Sequence, residues 1–120
     1  FMVDGAHNGN GVAALKESLT ALFPGEKFHF VMGVMADKDY AKMVEELLPL
    51  AADFTTVTVL SERALAAETL AAHIRGMGVP AVASADLQTC LAQAENAAHK
   101  TVAFGSLYFI GEIEALFQKY

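Results

Sequence analysis

Residues 3–11 read VDGAHNGNG, placing Asp4, His7 and Asn8 between an apolar lead-in and a run that turns helical. A carboxylate only accepts hydrogen bonds and so suits a sugar diol, whereas an imidazole can donate to a carboxylate or a phosphate oxygen. The same residues have a plainer use, with the aspartate tying down its own turn and the histidine exposed to water. Arg63, just behind a strand, can grip phosphate oxygens through forked N–H groups or stand as a surface charge. Ser106 falls at a helix start, where free N–H groups favour a carboxylate, or where the hydroxyl simply caps the helix. Asp37 and Asp39 of ADKD read as helix-capping acids, and Lys38 as a solvated lysine.

Familiar loop types fit poorly. GNGVAA (residues 9–14) matches G-x-G-x-x-A, but in a dinucleotide fingerprint the glycines follow the strand at once and an acid ends the next strand. Here DGAHN intervenes, and the second strand ends in VMGVMA with no acid before Asp37. No lysine follows the glycines as a Walker A loop requires, and Asp4 lacks the acidic cluster of a receiver domain. His29 lies within a strand, His73 on a helix face and His99 near a helix end, sharing no metal-ligand spacing. No metal is assigned to this domain. Cys90, the single cysteine, sits on an apolar helix stripe and reads as a small buried hydrophobe.

The elements that must carry these residues alternate between short β-rich runs and longer Ala/Leu-periodic ones, the pattern of βα units with a parallel sheet. Strands are expected at 1–3, 27–34 (KFHFVMGV), 54–59 (FTTVTV), 81–83 and 101–104 (TVAF). Helices are expected at about 11–23, 40–48, 66–76 and 86–98, with a last one starting at Ser106. Pro24-Gly25 and Pro49 supply stops. On the third helix, Leu65, Thr69, Leu70, His73 and Ile74 share a face. Ligands in such sheets bind beyond the carboxyl ends of the strands. Four loops therefore matter: 4–10, 33–39, 60–64 and 105–107. The fold class is α/β, one domain with a mostly parallel sheet and helices on both faces.

With 120 residues, 54% hydrophobic and 18% charged, the chain can bury one core but not two. A formal net charge of −6 with eight scattered basic residues argues against nucleic acid as a partner. No run approaches the roughly 20 apolar residues of a membrane span. The opening FMVDG lies inside a strand and lacks an initiating methionine, so residues 1–120 are expected to be excised from a longer chain.

DGAHN after the first strand, GVMADKD after the second, ERALAAETLA after the third and VAFGSLYFIGEI at the last resemble, in this order, the C-terminal domain of the folylpolyglutamate synthase/dihydrofolate synthase family, a branch of the Mur ligases. The resemblance spans essentially the whole chain and implies a Rossmann-like domain. It also implies an ATP-dependent ligase in which a folate or dihydropteroate carboxylate is phosphorylated and then attacked by the amine of L-glutamate. A central ATPase domain of the same polypeptide would supply the P-loop and hold Mg2+. By resemblance, Asp4 binds the ATP ribose, Asn8 shapes the same turn, Arg63 reaches the phosphates, and His7 with Ser106 orients the glutamate or the acyl phosphate. A cytoplasmic, monomeric parent enzyme is expected, with the isolated domain inactive.

One position departs from the family. Gly9 stands where proline is usual, and the Gly9-Asn10-Gly11 run is expected to leave the loop loose and delay the helix. A dinucleotide-binding domain carried by GNGVAA, and an α/β interaction module whose polar loops are only caps, stand as alternatives.

Overall fold

The computed structural model describes residues 2–6, 8–84, 86–94, 98–106, 110, 111 and 113–115. Strands β1 (Met2–Val3), β2 (Phe28–Met32), β3 (Ala51–Thr56), β4 (Ala81–Ala83) and β5 (Lys100–Phe104) alternate with helices α1 (Gly9–Leu22), α2 (Tyr40–Leu47), α3 (Ala67–Gly76) and α4 (Leu87–Ala94). Residues 110, 111 and 113–115 are also helical. No helix among the described residues is long and apolar enough to cross a membrane.

All strand pairs are parallel, in the order β1-β5-β2-β3-β4. From β1 through β4 the chain advances across the sheet in one direction. Right-handed crossovers therefore put α1, α2 and α3 on one face. The return from β4 to β5 reverses direction and puts α4 on the other. The two cores agree with this: Val12, Leu15, Met43, Val44, Leu70 and Ile74 pack with Phe28, Phe30, Phe54 and Phe104, while Cys90 and Ile113 pack with Val31, Val57 and Ala103. Period-two alternation along β2 sends Phe28, Phe30 and Met32 to the first core and Val31 to the second. Phe30 anchors the larger one, with ring centroids 5.3 Å from Phe54 and 5.8 Å from Phe104.

Several boundaries differ from the sequence reading for identifiable reasons. α1 begins at Gly9, not Gly11, because Asn8 caps it: its extended backbone precedes the helix and its Oδ1 accepts the Gly11 N–H at 2.8 Å. β3 begins at Ala51, three residues earlier than the apolar run, and leaves the ladder after Thr56, opposite Met32. Val57 and Val59 stay buried beyond it, so apolarity marked burial there rather than pairing. On α3 the buried stripe is Ala67, Leu70, Ala71 and Ile74, with Thr69 exposed. That helix has no capping side chain at Ala66; instead Thr58 Oγ1 accepts the Ala67 N–H at 2.9 Å from the preceding loop. Buried Met32, Met35 and Met43 serve the cores.

His29 is paired across strands. Its Nδ1 contacts Asp53 Oδ1, and its Nε2 lies 3.3 Å from Thr55 Oγ1. The pair sits toward the amino ends of β2 and β3, away from the loops expected to bind ligand.

Candidate functional site

Asp4 closes β1. Its N–H donates to Ala103 O at 2.9 Å, and its Oδ1 accepts the Ala6 N–H at 2.8 Å. This turn-forming role is the plain reading of the residue, and it fixes a half-buried carboxylate at the strand end. Ala6 O in turn accepts the Gly105 N–H at 2.9 Å, which fastens the loop after β1 to the loop after β5.

Gly105 has φ +128°, a backbone region closed to other residues, and a Cβ there would stand 2.2 Å from Gly33 O. Only glycine lets the ends of β5 and β2 approach so closely. Ser106 follows, 3% exposed, and its carbonyl accepts the Ile110 N–H at 3.0 Å. Ile110 and Gly111 are helical; residues 107–109 of the expected last helix lie outside the described residues.

The loops after β2 and β3 are fastened to each other in the same way. Met35 and Ala64 form an antiparallel bridge, Ala36 N–H donates to Arg63 O at 2.7 Å, and Leu65 N–H donates to Val34 O at 3.0 Å. The carboxyl ends of β1, β5, β2 and β3 therefore form one rim stitched through the backbone. Asp4 lies in the loop after β1 and Arg63 in the loop after β3, toward opposite sides of this rim. The β1 loop leads to α1 on one face, whereas the chain after β5 leads toward Ile113 on the other. Asp4 and Ser106 thus flank the place where the chain parts to opposite faces, the usual crevice for ligands.

The sequence-derived candidates divide accordingly. Asp4 and Ser106 meet through the joined loops, and Asn8 is the exposed cap of α1. Arg63 is 66% exposed, with Nη1 3.6 Å from Asp37 Oδ2. His7 lies outside the described residues. Asp39 caps α2, accepting the Lys42 N–H. Asp37 does not cap; it pairs with Arg63 across two loops, a partnership that helix-start patterns could not reveal. The Gly33–Gly105 contact was also missed, although glycines ending two apolar strands were its signal.

A groove of about 360 Å³ runs from Asp4, Gly5 and Ala6 along Asn8, Gly11, Ala14, Leu15 and Ser18. A larger one of about 620 Å³ lies between α1 and α2 among Lys16, Asp39, Lys42, Glu45 and Glu46, and it contains none of the candidates. The glycines of GNGVAA lie within the first turns of α1, behind its cap, rather than in a strand-to-helix turn. Burial pushes the Cys90 thiol up to about 11, so it stays protonated at neutral pH and is a poor nucleophile. Among the described residues no group of three His, Cys, Asp or Glu could hold a metal ion.

Residues 1–105 match the family described as Mur ligase, glutamate ligase domain, and the chain belongs to that family. Proteins similar to it include folylpolyglutamate synthases. That of Lacticaseibacillus casei is 41% identical over 57 residues, which is 48% of this chain and 12% of that protein. Mycobacterium tuberculosis folylpolyglutamate synthase, solved in complex with ADP, superposes with a TM-score of 0.82 at 25% identity, over 96% of this chain and 29% of that one. The bifunctional folylpolyglutamate synthase/dihydrofolate synthase of Yersinia pestis, complexed with AMPPNP and Mn ion, shares the fold with a TM-score of 0.85 at 24% identity, over 96% and 28%. The chain thus spans under a third of these relatives' length.

Proposed function

We propose that residues 1–120 are the glutamate-ligase domain of an ATP-dependent enzyme that joins L-glutamate to a folate or dihydropteroate carboxylate, working against a central ATPase domain of the same polypeptide. The observation that carries this reading is the rim itself. The four family-like loops, distant in sequence, are joined into one edge that carries Asp4 and Arg63 at the carboxyl ends of the strands, with Ser106 buried just behind it.

The donor set fits a nucleotide. Asp4 offers a carboxylate acceptor beside a groove lined by small residues, suited to a ribose diol. Asn8 holds that turn in place by capping α1. Arg63 reaches phosphate oxygens through its forked donors. Bound ATP supplies the phosphoryl group that activates the substrate carboxylate; its magnesium is held outside this domain. Ser106 orients the incoming glutamate together with His7, and Arg63 stabilises charge that develops on the phosphoryl group. The parent enzyme is a cytoplasmic monomer in this reading.

Substitution in the full-length enzyme separates the roles. Asp4→Ala is expected to raise the KM for ATP, and Ser106→Ala mainly that for glutamate. Equal effects of both on both substrates would sink the division of labour.

A further inference from the structure

We propose that Asp37 is a positioning residue for Arg63, an inference that rests on the nucleotide reading of Arg63 above. The backbone of Arg63 is already fixed. Its carbonyl accepts the Ala36 N–H at 2.7 Å, its own N–H donates to Ser61 Oγ at 3.2 Å, and the Met35–Ala64 bridge and the Leu65–Val34 hydrogen bond hold the flanking residues. What remains free to wander is the side chain, which is long, rich in rotamers and 66% exposed.

Asp37 acts on that freedom. Its Oδ2 stands 3.6 Å from Arg63 Nη1, and it belongs to the loop of β2. In the sheet order, β2 lies between β3, which carries Arg63, and β5, which leads to Ser106. The carboxylate therefore draws the guanidinium toward the loop of β2, on the side of the sheet where β5 and Ser106 lie. A guanidinium has N–H donors on both terminal nitrogens and can keep one on Asp37 while others meet phosphate. The contact is single, so it biases the side chain without locking it.

The test is a double-mutant cycle in the full-length enzyme, reading KM for ATP and kcat at saturating glutamate. Arg63→Ala should raise the ATP KM. Asp37→Asn should raise it about two- to fivefold, the range an exposed ion pair supports, and Asp37→Glu should recover most of that loss. In the Arg63→Ala background, Asp37→Asn should add nothing. Thermal midpoints of the Asp37 variants should match the parent, so a fold defect would be visible separately.

If Asp37→Asn costs as much without Arg63 as with it, or lowers the ATP KM, the positioning role is overturned while the nucleotide reading stands. If Arg63→Ala leaves the ATP KM unchanged, the nucleotide role of Arg63 fails and the positioning role fails with it.

Discussion

Gly9 and Gly11 sit two residues apart in the first turn of α1 and face different demands. A Cβ at Gly9 would meet only the flexible stem of Lys42, at 3.7 Å and beyond, whereas one at Gly11 would stand 3.3 Å from Ala6 Cα and 3.4 Å from Asn8 Oδ1. Neither has a positive φ, so only crowding separates them. Gly9→Ala is expected to stabilise the domain by about 0.4–1 kcal/mol, chiefly by restricting the unfolded chain. Gly11→Ala should lose that gain because it pushes on the backbone of the Asp4 turn. Urea unfolding of both variants checks this, and equal gains would show that the Ala6 contact yields freely. Gly9 in place of the family's usual proline therefore does not delay the helix; the Asn8 cap sets its start regardless.

At the scale of elements, caps decide more than composition does. α1 and α2 are capped from their own sequence by Asn8 and Asp39; Asp39 was read as a cap, whereas Asn8 was not, because the glycines behind it suggested a later helix start. α3 is capped from nine residues away by Thr58, which no local pattern could disclose. Thr58→Ala is expected to destabilise the domain by about 1 kcal/mol, with Thr58→Ser retaining most of the stability. An unchanged denaturation midpoint in Thr58→Ala would show that water replaces the cap at no cost. The order of strands and helices was readable because apolar periodicity switches cleanly between two and 3.6 residues. The start of β3 was not, because Ala51 and Asp53 pair with β2, with Ala52 skipped at a register shift between them, without looking like strand residues. Asp53 is paired there with His29 on the neighbouring strand.

For the whole molecule, the site was legible as a set of loops but not as a connected surface. Asp4, Ser106 and Arg63 could be placed at strand ends from sequence, yet the Ala6–Gly105, Gly33–Gly105 and Ala36–Arg63 contacts that join them depend on strand order. The −6 charge and the proposed role of the rim as one end of a nucleotide site also bear on binding. A pair of charge-assisted hydrogen bonds, at about 1.5–3 kcal/mol each, must offset an association cost of roughly 4–15 kcal/mol. Residues 1–120 alone are therefore expected to bind MgATP with a Kd in the millimolar range or weaker and to catalyse nothing. Calorimetric titration checks the first point, and micromolar affinity would contradict it.

The joined rim also bears on timing. Loops stitched to one another through their backbones, with Gly105 wedged against Gly33, have little room to flap separately. In the ligase proposed above, the half-site is expected to arrive already shaped and to move as one body, so that any opening and closing belongs to the entire domain rather than to its separate loops.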